Sequence, residues 1–179
     1  DIKGIPQKKV TPSAADQNEI GRERGDLKKA LADKLNKNYW EKGFVMPVKG
    51  RISGHFGGQR IMNGRKMNPH QGTDIAAPEG TPVKAASNGI IRLSGGNYFY
   101  SGNTVVIDHG HQLFTIYAHL KKVSVKAGDY VRQGQVIGEV GKTGRVTGPH
   151  LHWGASLNGV RFTPESLLHM NNADFCFNL

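Results

Sequence analysis

The sequence predicts a mainly β protein, an antiparallel β-sheet core with one helical segment ahead of it. Two observations carry the prediction. From Phe44 onward, glycines are frequent and short β-branched runs alternate with turns. Before that point, apolar residues recur at helical spacing.

Residues 1–13 contain Gly4, Pro6, Pro12 and three lysines, and read as a tail or linker. Residues 14–42 carry Ile20, Leu27, Leu31 and Leu35 on one helical stripe, with Lys28-Lys29 and Asp33-Lys34 on other faces. The spacing predicts one helix over roughly 16–38, interrupted near Gly25. Arg24-Gly25-Asp26 lies in this charged stretch and reads as helix surface rather than an adhesion signal. Four runs then read as strands: Gly89 to Leu93, Thr104 to Asp108, Leu113 to Tyr117 and Gln135 to Val140. The stretch from Gly50 to Pro69 is poor in apolar residues, and Gly57 to Asn68 reads as a long loop leading to His70, of the kind that often lines a site. The chain therefore divides into an N-terminal tail and helix, 1–43, and a β domain, 44–179. There is no internal repeat and no low-complexity tract.

At 179 residues the chain is long enough to bury a core. No apolar run approaches the roughly 20 residues of a membrane span. The sequence begins with Asp1 rather than Met, which reads as a processed or truncated form. The single cysteine, Cys176, excludes an internal disulfide and a cysteine-based zinc cluster; in Phe175-Cys176-Phe177 it reads as a small packed hydrophobe. The formal charge is +10, of which residues 46–179 carry +7 from 14 basic and 7 acidic residues. Such a balance suits an anionic partner. No basic run interleaved with aromatics stands out, so no nucleic acid is expected.

The chemistry concentrates in three segments. His150 and His152 stand two apart in Gly148-Pro149-His150-Leu151-His152-Trp153-Gly154, so a strand aims both imidazoles to one side. His70 and Asp74 stand four apart, also an even spacing. His119 closes the apolar run Thr115-Ile116-Tyr117-Ala118-His119-Leu120. A hydrolytic zinc keeps three protein ligands and one open position. His70, Asp74 and one of His150/His152 would supply the three, leaving His119 and the other histidine for proton handling near neutral pH. Spacing does not say which of the pair binds metal. His55, His109, His111 and His169 are set aside; His109 and His111 bracket Gly110, which reads as a hairpin turn. Gly141-Lys142-Thr143 lacks the earlier glycine of a phosphate-binding loop, with Val136 in its place. The stretch Val125 to Gly138 resembles the closing turns of biotinyl and lipoyl carriers, but it presents no lysine tip; the likeness reads as barrel-like β architecture.

Together, Pro69-His70-Gln71-Gly72-Thr73-Asp74, Tyr117-Ala118-His119-Leu120 and Gly148-Pro149-His150-Leu151-His152 resemble the M23 zinc metallopeptidases of the lysostaphin and LytM type, over about residues 44–168. The resemblance implies a LytM-like antiparallel β core, with Zn2+ held by His70, Asp74 and His152 and with His119 and His150 as the catalytic pair. It implies cleavage of peptidoglycan stem peptides in the cell envelope, periplasmic or extracellular. Gly141 to Pro149 and Phe99 to Thr104 look closest to members that cut the D-alanyl-meso-diaminopimelate cross-link. Some relatives lose ligands and serve as non-catalytic wall-binding or amidase-activating modules; all five site residues are present here. Many relatives carry upstream regulatory domains, and residues 1–43 read either as the remnant of one or as a helix packing beside the β domain.

Overall fold

A computed structural model of the chain describes residues 2–32 and 35–170. Two helices come first, α1 (Gln7–Val10) and α2 (Ala14–Ala30). Twelve strands follow: β1 (Arg51–Gly54), β2 (Ile61–Met62), β3 (Arg65–Lys66), β4 (Thr73–Ala76), β5 (Pro82–Lys84), β6 (Gly89–Tyr98), β7 (Gly102–Asp108), β8 (Leu113–Val123), β9 (Tyr130–Val131), β10 (Val136–Val140), β11 (His150–Leu157) and β12 (Val160–Phe162). A 3-10 turn, Pro164–His169, closes the described chain. The fold is mainly antiparallel β with an N-terminal helix, as the sequence predicts. The principal sheet runs β1-β4-β11-β8-β7-β6-β9, with β12 beside β11 and β10 between β5 and β8.

The sheet is covered on both sides, which explains why β8 is buried continuously from Leu113 to Leu120. Side chains alternate across a strand. Ile75, Tyr117, Leu151 and Trp153 lie on one face and join the main core with Val105, Ile107, Trp40 and Phe44. Val106, Phe114 and Ile116 point the other way and pack against Leu27, Ala30 and Leu31 at the end of α2. The cross-strand partners Asp74, His152 and Ala118 share this second face. The N-terminal helix and the histidine pair therefore occupy the same side of the sheet.

Three expectations are corrected. The helix spans Ala14–Ala30 rather than 16–38 and does not break at Gly25. Its start is fixed by a capping box between Ser13 and Asp16. Its end reflects competition: the carbonyl of Leu35 accepts from the His111 N–H and the Tyr39 N–H donates to the His109 carbonyl, so this backbone is tied to the β7–β8 hairpin instead of to a helix. Residues 33 and 34 of the expected span lie outside the described residues, as does Cys176. Residues 2–13 are no free tail: Ile5 and Val10 are buried against Met62, and Ile2 bridges to it. The Gly57 to Asn68 stretch holds the hairpin β2–β3, joined by Asn63-Gly64 with φ values of 49° and 78°. That dipeptide is the usual two-residue turn with both central φ positive.

Candidate active site

The antiparallel register of β4 and β11 sets His152 opposite Asp74 and His150 opposite Ala76. His70 enters from the segment just before β4. The result is a triangle of donor atoms: His70 Nε2 to His152 Nδ1 is 2.9 Å, His152 Nδ1 to Asp74 Oδ1 is 2.9 Å, and His70 Nε2 to Asp74 Oδ1 is 3.1 Å. Ligands on a tetrahedral zinc with bonds of 2.0–2.1 Å stand about 3.4 Å apart. Two imidazole nitrogens and one carboxylate oxygen at these separations fit zinc to within a few tenths of an ångström. Gly72 makes the approach possible: a Cβ there would lie 2.7 Å from the His152 ring and 2.5 Å from the Trp153 carbonyl.

His119 reaches the same place by an irregularity. Strict alternation would put it on the core face with Tyr117. Instead the register slips between Asn103↔Leu120 and Val105↔Tyr117, so Ala118 and His119 together oppose Thr104. This is a β-bulge, and His119 takes a φ of +65°. The slip returns Leu120 to the core and swings His119 to the face of the other histidines. Its ring centroid lies 4.8 Å from that of His150 and 5.9 Å from that of His152. His150 Nε2 stands 3.7 Å from Asp74 Oδ1. All five residues singled out in the sequence thus converge.

Backbone carbonyls fix the tautomers, because a carbonyl can only accept. His70 Nδ1–H donates to the His55 carbonyl, His119 Nδ1–H to the Thr143 carbonyl and His150 Nδ1–H to the Gly148 carbonyl. In the neutral rings each Nε2 is left with a lone pair facing the site. Burial pushes the His119 pKa well below its ordinary value, and the neighbouring His150 and His152 add to the effect. Burial also lowers that of His152, against the pull of Asp74. For Asp74, burial alone would raise the carboxyl, but contacts with His152 and His70 outweigh it and hold the group far below the usual carboxylate range.

Sequence reading missed two supporting residues. Arg60 Nη2 donates to Asp74 Oδ2 at 2.5 Å, leaving Oδ1 for the histidines. Its only signal was membership of a glycine-rich stretch. Glu23, on α2, is 4% exposed. Its carboxylate accepts from the Tyr100 N–H, the Ser101 N–H and the Ser101 hydroxyl. The Ser101 carbonyl in turn accepts from the His119 N–H at 2.8 Å. Asp26 of the Arg24-Gly25-Asp26 tripeptide accepts from the Tyr98 hydroxyl. His109 and His111 flank the β7–β8 turn as expected, and His109 is fully buried away from the site.

The site opens into a cavity of about 380 Å³ lined by His70, His119, His152, Tyr100 and three arginines. The sequence profile of peptidase family M23 matches residues 68–164. The chain is 37% identical over 154 residues to the peptidoglycan DD-endopeptidase ShyC of Vibrio cholerae, covering 80% of this chain and 35% of that protein. Among solved structures it resembles one from Pseudomonas aeruginosa assigned to peptidase M23, with a TM-score of 0.75 and 37% identity over 88% of this chain and 63% of that one. A zinc-containing peptidase from Vibrio cholerae superposes with a TM-score of 0.63 and 36% identity, covering 68% of this chain and 39% of that one. The chain spans about a third, or less, of the length of the curated relatives it matches.

Proposed function

The chain belongs to peptidase family M23, and from that premise we propose that it is a zinc-dependent endopeptidase that hydrolyses the peptide cross-links of peptidoglycan. The observation that carries the reading is the His70–Asp74–His152 triangle with the lone pairs of His119 and His150 beside it. The relatives named as peptidoglycan DD-endopeptidases support the finer assignment, the bond from D-alanine to the D-centre of meso-diaminopimelate. Action on that polymer puts the protein in the cell envelope, periplasmic or extracellular. Its positive charge suits the anionic wall. Among the described residues no helix is long and apolar enough to cross a membrane.

In this reading His70 Nε2, Asp74 Oδ1 and His152 Nδ1 hold the ion. Zinc at such a site supplies Lewis acidity to the scissile carbonyl and activates water at neutral pH. Asp74 brings one negative charge, and Arg60 steadies its outer oxygen. His119 and His150 each hold one proton on Nδ1 against a carbonyl and keep Nε2 free. Either Nε2 can take a proton from the attacking water and, once charged, stabilise the oxyanion or protonate the departing amine. Burial keeps the resting His119 ring neutral, so its Nε2 lone pair is available, at some cost in basicity. α2 packs on the histidine side of the sheet, and its Glu23 holds the Tyr100–Ser101 turn, which is the role of a wall rather than of a plug.

The test is digestion of purified sacculi with and without chelator, with products identified by mass. Cross-linked muropeptides should be converted to monomers only in the absence of chelator. Binding to sacculi with every cross-link intact would instead identify a non-catalytic wall-binding module.

A further inference from the structure

We propose that Arg145 anchors a carboxylate of the substrate, the one borne by the carbon next to the scissile nitrogen. The proposal rests on the endopeptidase reading above and deepens it. Arg24, Arg60 and Arg145 line the cavity that holds His119 and His152. Arg60 is engaged with Asp74. Arg24 is exposed on α2. Arg145 differs from both: it is partly buried, yet among the described residues no carboxylate lies within ion-pair distance of its guanidinium. Glu23, the acid that helps to build this wall, is committed to the Tyr100 and Ser101 N–H groups.

A partly desolvated cation without an anion is costly, and proteins rarely keep one without a purpose. The surroundings of Arg145 hold it in place without satisfying it. Its backbone N–H donates to the Tyr100 carbonyl at 2.8 Å, and its guanidinium stacks 4.4 Å from the Tyr100 ring centroid. One long contact, 3.5 Å, joins Nη1 to the Lys9 carbonyl. Stacking occupies the flat face and leaves the forked edge for a planar bidentate acceptor, which is carboxylate geometry.

The substrate chemistry supplies that acceptor. Where D-alanine is joined to diaminopimelate, the carbon attached to the scissile nitrogen also bears a carboxylate. Only the nitrogen and that carbon separate it from the carbonyl under attack, so its binding group must share one cavity with the catalytic histidines. A neutral glycine bridge offers no such anion. Arg145 therefore selects for acidic cross-links over neutral ones.

The experiment uses two synthetic cross-linked peptides, identical except that this carboxylate is free in one and a carboxamide in the other. The zinc-loaded full chain, Arg145→Met and Arg145→Lys are compared by kcat/KM and by calorimetric Kd, with zinc content and circular dichroism as checks of folding. A hydrogen-bonded charge pair is worth on the order of 10- to 100-fold in binding. The unaltered chain should prefer the free acid by that factor. Arg145→Met should lose the preference and use acid and amide at similar rates, and Arg145→Lys should keep part of the preference. Equal use of both peptides by the unaltered chain overturns the proposal while leaving the endopeptidase reading intact, as does an equal loss on both peptides in both folded variants. Arg145-dependent preference in Kd without cleavage of either peptide upholds the anchor and overturns the endopeptidase reading.

Discussion

His109 gives a quantitative handle on the fold. It is fully buried at the β7–β8 turn, its Nδ1–H donating to the Asn88 carbonyl at 2.6 Å and its Nε2 lying 2.7 Å from the Thr115 hydroxyl. The ring sits edge-on to Phe44 at 5.1 Å. Burial brings its pKa down to about 4. The folded state therefore holds His109 neutral, while the unfolded chain protonates it below about 6.5. The unfolded state binds more protons between these values, so the contribution is intact above pH 6.5 and is lost as pH falls toward 4. Linkage gives a loss of about 2 kcal/mol between about pH 7.5 and pH 5, and roughly 3 kcal/mol once both states are protonated. The perturbation is His109→Gln, which keeps a donor but cannot titrate. Urea unfolding of both proteins, in chelator so that metal release does not enter, should show the variant less stable at neutral pH. Its stability should also fall about 2 kcal/mol less on acidification, because the histidine contribution is gone. Parallel pH profiles for the two proteins would refute a neutral, buried His109.

The site makes further predictions. His150→Ala should keep fold and metal and lose about 10²- to 10⁴-fold in kcat, measured by release of cleaved muropeptides; turnover within threefold of the unaltered chain would remove it from the proton-transfer role. Asp74→Ala should lose tightly held zinc, checked by metal analysis after dialysis; one retained equivalent would count against it as a ligand. Glu23→Ala should leave two backbone N–H groups of the Tyr100–Ser101 turn unpaired, destabilise the fold by about 1–3 kcal/mol and lower kcat with little change in KM. Full kcat in that variant would mean that the turn holds its shape, and His119 its place, without α2.

Strands β6, β7, β8 and β10 were legible because β-branched runs and glycine turns are local signals, and the runs ending at Asp108 and Val140 have the same ends as β7 and β10. His150 and His152 were legible for a related reason: their even spacing on β11 fixes their side, whereas His70 stands on the segment before β4 and reaches Asp74 from there. His119 is the exception. Periodicity alone sends it into the core beside Tyr117, and only a bulge, set by pairing between β7 and β8, turns it outward. The end of α2 was hidden likewise, because Leu35 and Tyr39 make their hydrogen bonds to a hairpin 70 or more positions away. Glu23 carries no local signal that sets it apart from the other charges of the helix, and its burial depends on where that helix docks. The Asn63-Gly64 turn carries a readable signal, but its flanking strands, two residues each, are too short to show strand alternation.

In the proposed function, three residues from two neighbouring strands and the approach to one of them share a single ion. Anomalous diffraction at the zinc edge, on crystals grown with zinc, measures this directly. One peak should lie about 2.0–2.2 Å from His70 Nε2, Asp74 Oδ1 and His152 Nδ1. A zinc peak bound elsewhere on the chain, with that triangle left without density, would contradict the account.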